Sequence, residues 1–104
     1  MIKKDLLLIP GQNQISIINT VQYKLVKKID VQGSNWIYGV CMLNKNMLLT
    51  GDQSKIIRQW KIEGDNLIMI SKKEKVHEDE INFLINIGNG FIASCSSDHN
   101  IKIW

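Results

Sequence analysis

Proline occurs once in these 104 residues, cysteine twice, and no apolar run comes near the length needed to span a bilayer. Met1-Ile2-Lys3-Lys4-Asp5 leads only into the brief apolar run Leu6 to Ile9, with no small-residue cleavage site, so a signal peptide is not expected. Cys41 and Cys95 are far apart and belong to no CxxC or Cys/His spacing, which excludes a sequence-encoded zinc site. They read as free thiols acting as small buried hydrophobes, in keeping with a reducing, intracellular setting, cytoplasmic or nuclear. There is no Gly-rich phosphate loop and no paired-carboxylate arrangement, so no catalytic or cofactor-binding residue is assigned. No segment carries a helical apolar period. The net charge of +3 is too small and too scattered to imply nucleic acid. A hydrophobic content of 44% is ordinary for a folded domain and argues against disorder.

What the sequence does have is short alternating runs cut by polar turns. From His77 to Trp104 it reads HEDEINFLINIGNGFIASCSSDHNIKIW. Ile81 to Ile87, Phe91 to Cys95 and Asn100 to Trp104 are three strands. Gly88-Asn89-Gly90 and Ser96-Ser97-Asp98-His99 are the turns between them. Shifted back by 44 positions, Gly33 to Trp60 lies over this stretch without a gap. Ile37 falls on Ile81, Thr50 on Ser94, Ile57 on Ile101 and Trp60 on Trp104. A further shift of 42 lays Leu6 to Ile18 over Leu48 to Trp60, with Leu8 in place of the hydroxyl and Ile18 in place of the Trp.

Repeats of about 40–45 residues with four strands each mark propeller blades. In the string F-I-A-S-C-S-S-D-H-N-I-K-I-W, with His77 upstream, the chain resembles the WD40 family. The resemblance implies an all-β fold: a partial WD40 β-propeller of four-stranded antiparallel blades, arranged as an open arc. Residues 1–30 would be a first blade without its inner strand. Residues 31–75 would be a second, whole blade, and 76–104 a third lacking its outer strand. Val76-His77 stands where the family has Gly-His, and the chain stops before the Asp expected after Trp104. Carried over residue by residue, the family's structural hydrogen-bond row would be His77, Ser94, Asp98 and Trp104. Thr50 and Trp60 are what remains of it in the middle repeat, because Gly33 and Ser54 supply neither an imidazole nor a carboxylate.

Function on such a fold sits where inner strands begin and in the turns before third strands. Trp36 and Tyr38, Gln53, Glu80, Asn82 and Ser97 occupy these places and are the expected partner-binding residues. The aromatics serve equally for packing between blades. The sequence reading is a non-catalytic protein-interaction scaffold with other proteins as partners and no membrane. Self-association, or completion by further blades, is expected of its open ends. The alternatives are a nucleic-acid-binding propeller surface and a truncated, non-functional product. A Ser-His-Asp hydrolase is a distant third.

Overall fold

A computed structural model describes residues 6–64 and 66–104. Met1 to Asp5, with Lys3 and Lys4, and Asp65 of the expected 63–66 turn lie outside the described residues. Every regular element among those described is a strand. β1 (Leu6–Pro10), β2 (Gln14–Asn19) and β3 (Lys24–Asp30) form a three-stranded sheet in that order. β4 (Ile37–Asn44), β5 (Met47–Asp52), β6 (Ile57–Glu63) and β7 (Asn66–Lys73) form a four-stranded meander. β8 (Ile81–Gly88), β9 (Phe91–Ser96) and β10 (Ile101–Ile103) form the third sheet. All pairings are antiparallel.

The second and third sheets share their irregularities. β4 shifts register against β5 at Ile37/Gly39, and β8 shifts against β9 at the matched Ile81/Phe83. In the turns that follow, Lys55 and His99 both hold left-handed backbone, at φ 70° and 71°. A bulge adds one residue on one strand and sharpens the local twist. Here it falls at the mouth of each inner strand.

β2 and β5 bury alternate residues, and the buried residues of neighbouring sheets meet between them. Ile15, Ile17, Ile29 and Val31 of the first sheet and its following loop pack on Ile37, Leu48, Trp60 and Leu67 of the second. Ile57 of the second sheet joins Val76, Ile81, Leu84 and Ile92 in the other cluster, with Cys41, Leu43 and Leu49 against it. The second interface is the tighter one, and glycine makes it so. A Cβ on Gly51 would stand 2.6 Å from Ile81 Cγ2, and one on Gly39 would stand 3.1 Å from the Leu84 backbone nitrogen. The inner strand of the third sheet therefore lies almost on the backbone of the second.

Three expectations shift. Trp36 does not open the inner strand: β4 begins at Ile37, and Trp36 only bridges Gln12. The sequence also suits Lys72 to Lys75 to a charged rim beyond the outer strand, but Lys72 and Lys73 are part of β7, opposite Arg58 and Ile57. Cys41 and Cys95 are free but only half-buried, and burial pushes the Cys41 thiol up from its ordinary value.

Candidate protein-interaction rim and its supporting junctions

Each inner strand is tied to the turn that faces it. The Gln53 N–H donates to the Trp36 carbonyl at 2.8 Å, and the matched Ser97 N–H donates to the Glu80 carbonyl at 3.2 Å. The Asn82 side-chain amide reaches Ser97 Oγ at 2.9 Å. The six partner-binding candidates thus lie where β4 and β8 begin and in the turns bonded to those places. There Trp36 is 46% exposed and Tyr38 43%. Gln53 is exposed, whereas Glu80, Asn82 and Ser97 are half-buried. The Trp36 backbone is held from the other side too, since the Ile37 N–H donates to the Gly11 carbonyl at 3.0 Å. A large aromatic side chain on fixed backbone loses little entropy on meeting a partner, which is what an interface anchor requires.

Beneath the rim the two junctions are closed differently. In the third sheet the Trp104 indole N–H donates to Ser94 Oγ at 2.9 Å. Ser94 Oγ lies 2.8 Å from His77 Nε2, and His77 Nδ1 lies 2.9 Å from Asp98 Oδ2. Indole can only donate and carboxylate only accepts, so Nδ1–H donates to the acid, and the hydroxyl that accepts from the indole carries the row on to Nε2. Burial acts to raise the Asp98 carboxyl. The Glu78 and Asn100 backbone N–H groups and His77 outweigh it and hold the group at about 2.

In the second sheet the row begins in the same way, with the Trp60 indole N–H on Thr50 Oγ1 at 2.9 Å. It goes no further, because Gly33 occupies the imidazole position. The carboxylate has instead moved to the end of β5. Asp52 forms a fully buried ion pair with Arg58. Its Oδ1 accepts the Ser54 and Ile56 N–H groups at 2.8 and 3.2 Å. Arg58 also reaches the Gln32 carbonyl at 3.2 Å, as Lys102 reaches the matched Val76 carbonyl at 2.6 Å. Burial pushes the Asp52 carboxyl up, against the pull of Arg58 and of the two backbone donors. Sequence reasoning missed this pair. The available signal was that Arg58 is the only arginine in the chain and falls under Lys102 in the repeat.

Chemically these junctions are closed. Ser94 is fully buried, and its oxygen already receives an indole proton. A serine nucleophile needs a free approach for the reacting carbon, and none exists here. Among the described residues no buried side-chain nitrogen or oxygen lacks a partner.

The chain superposes on a chain of the structure "Crystal Structure of Mitotic Checkpoint Complex" with a TM-score of 0.83 at 17% identity, over 98% of this chain and 32% of that one. A computationally designed protein, Ika4, matches with a TM-score of 0.70 at 16% identity, over 98% of this chain and 61% of that one. Raptor from Chaetomium thermophilum matches with a TM-score of 0.76 at 16% identity, over 96% of this chain and 10% of that one. The fold is a partial β-propeller. It is all-β, with antiparallel blades of three and four strands and no closed barrel. The chain spans from about a tenth to three-fifths of the chains it resembles. No family model matches, and no curated protein does.

Proposed function

We propose that this chain is a non-catalytic protein-interaction scaffold of the WD40-repeat type, binding protein partners through the rim of Trp36, Tyr38, Gln53, Glu80, Asn82 and Ser97. The observation that carries the reading is the exposure of Trp36 and Tyr38 beside a Trp36–Ile37 peptide that is bonded to Gln53 on one side and to Gly11 on the other. The hydrogen-bond rows beneath them serve to hold the rim. An intracellular setting goes with this reading, supported by the two free thiols.

The test is a capture experiment on the immobilised chain, with bound proteins quantified for wild type and for Trp36→Ala/Tyr38→Ala. The double variant is expected to lose its specific partners while its stability shifts by no more than about 0.5 kcal/mol. A large loss of stability would assign the aromatics to packing between blades. Retention of nucleic acid that collapses as salt rises would favour a nucleic-acid-binding surface instead.

A further inference from the structure

Two of the three tryptophans use their indole N–H inside a blade, Trp60 on Thr50 and Trp104 on Ser94. The Trp36 N–H meets no acceptor among the described residues, and its ring is exposed. The place of that ring is set by the turns on either side. Gln12, in the turn of the first blade, pairs with Trp36 in an antiparallel bridge. Gln53, in the turn of the second, donates its N–H to the Trp36 carbonyl. Just before the ring, Asn35 holds left-handed backbone at φ 53°. It exchanges bonds with Asn13: the Asn13 N–H reaches the Asn35 carbonyl at 2.6 Å, and the Asn35 N–H reaches Asn13 Oδ1 at 2.9 Å. The Asn35 carboxamide donates to Ser54 Oγ at 3.0 Å. Asn35 thus clasps both turns, and both are internal to the chain.

The chemistry around the ring is nearly neutral. Across residues 10–14, 31–36 and 52–55 the charged residues are Asp52, buried on Arg58, and Lys55. The side chains that flank Trp36 most directly, Gln12 and Gln53, are exposed carboxamides. The matched entry to the third blade, Glu78-Asp79-Glu80, carries three acids instead. A neutral surface does not offset the desolvation of a charged partner. Indole and carboxamide donors suit a main chain that accepts and does not donate. Proline supplies one: it has a carbonyl, no N–H, and an apolar ring to lay on the indole. In a polyproline II segment the carbonyls make no internal bonds, and little conformational entropy is left to lose on docking.

We propose that Trp36, with the carboxamides of Gln12 and Gln53, docks an uncharged, proline-rich segment of a partner protein held in the polyproline II conformation. The indole ring takes a proline ring. The Trp36 Nε1–H and the carboxamide N–H groups donate to main-chain carbonyls, and the Asn35 clasp fixes the ring beforehand. This rests on the scaffold reading and narrows the chemistry of the partner.

The probe is a fluorescently labelled, end-blocked peptide, Pro-Pro-Leu-Pro-Pro-Ala-Pro-Pro, titrated with the full chain and read by anisotropy. Trp36→Ala should weaken binding by about thirtyfold or more. Trp36→Phe, which keeps a ring and loses the N–H, should weaken it by about three- to tenfold. Ser54→Ala, which releases the Asn35 carboxamide, should weaken it by about threefold while the thermal melt of the chain stays nearly in place. A Gly-Ser peptide of equal length should not bind, and affinity for the proline peptide should hold within about twofold from about 50 to about 500 mM salt. The proposal is overturned by no binding, by full binding to Trp36→Ala, or by equal binding of the Gly-Ser peptide. It is also overturned by a steep loss with salt, which would make charged side chains the anchor, or by displacement of the peptide by cellohexaose, which would make the ring a sugar platform. If Trp36→Ala/Tyr38→Ala loses captured proteins but the wild-type chain ignores the proline peptide, this proposal fails alone and the rim reading stands.

Discussion

The second and third blades share their first three strands, the bulge where the inner strand begins and a left-handed residue, Lys55 or His99, before the third strand, yet they close the same junction with different chemistry. In the third, an imidazole links a hydroxyl to a turn carboxylate. In the second, glycine stands in the imidazole's place, and a guanidinium crosses six residues to a carboxylate at the strand end. Both solutions satisfy the buried donors and anchor the third strand to the loop that precedes the blade, through the Gln32 carbonyl in one and the Val76 carbonyl in the other. The fold thus requires a closed junction but does not dictate which residues close it. The price differs. A hydrogen-bond row loses one link at a time, whereas a buried ion pair fails as a unit, because either partner left alone is an uncompensated charge.

The comparison breaks most sharply at Asp52. Asp52→Ala leaves Arg58 charged and buried, and should cost about 3–5 kcal/mol in urea denaturation. Asp52→Leu/Arg58→Met, which removes both charges, should recover most of that loss. If Asp52→Ala costs under about 1 kcal/mol, the pair is not what closes the second junction. Next comes the contact between the blades. Gly51→Ala drives a methyl into Ile81 and should cost about 1–3 kcal/mol by thermal denaturation. Cys95→Ala, at the matched place on the third blade, adds no atom and only removes a half-buried thiol, and should cost about 1 kcal/mol or less.

Smaller again is the contrast between hydroxyls. Ser94 serves two partners and Thr50 is bonded by the Trp60 indole. Ser94→Ala should cost about 2 kcal/mol and Thr50→Val about 1, and equal costs would show that His77 gains nothing from Ser94. The least effect is a slope in pH. Asp98 is held at about 2 in the folded chain, against an ordinary value of 3.8. Its contribution is full above the ordinary value and is lost as pH falls from there towards 2. Asp98→Asn should flatten the acid limb of stability measured between these values, and Asp52→Ala/Arg58→Met should leave that limb in place.

The repeat made the fold legible before any coordinates. Period-2 runs and matched turns place strands locally, and a fixed offset stacks one blade on the next. The four side chains that the WD40 resemblance carries over to the last blade stand in hydrogen-bonding sequence in space, because each is a distinctive donor or acceptor. Asp52 and Arg58 were opaque for the opposite reason. Asp52 sits where a turn acid is ordinary, and Arg58 alternates within a strand like any solvated residue. Only burial reveals that they face each other. Gly39 and Gly51 were equally silent. Glycine in a strand has several uses, and the one at work here is the approach of another blade, which no local pattern encodes.

The buried ion pair also bears on how such a gene can be rearranged. Duplicating a whole repeat copies Asp52 together with Arg58, or His77 together with Asp98, and each product closes its own junction. A crossover inside the repeat, between the end of the second strand and the middle of the third, separates the partners. A hybrid that follows the last repeat through Ser96 and then the middle one from Gln53 onward carries the Arg58 guanidinium with neither Asp52 nor Asp98. The reciprocal hybrid keeps Asp52 and gains Lys102, a shorter and more compact cation that still carries the needed charge. Exchange between these two repeats is therefore directional: one recombinant inherits a workable junction and the other an orphaned charge. Copying in full units preserves the blade, and splicing halves does not.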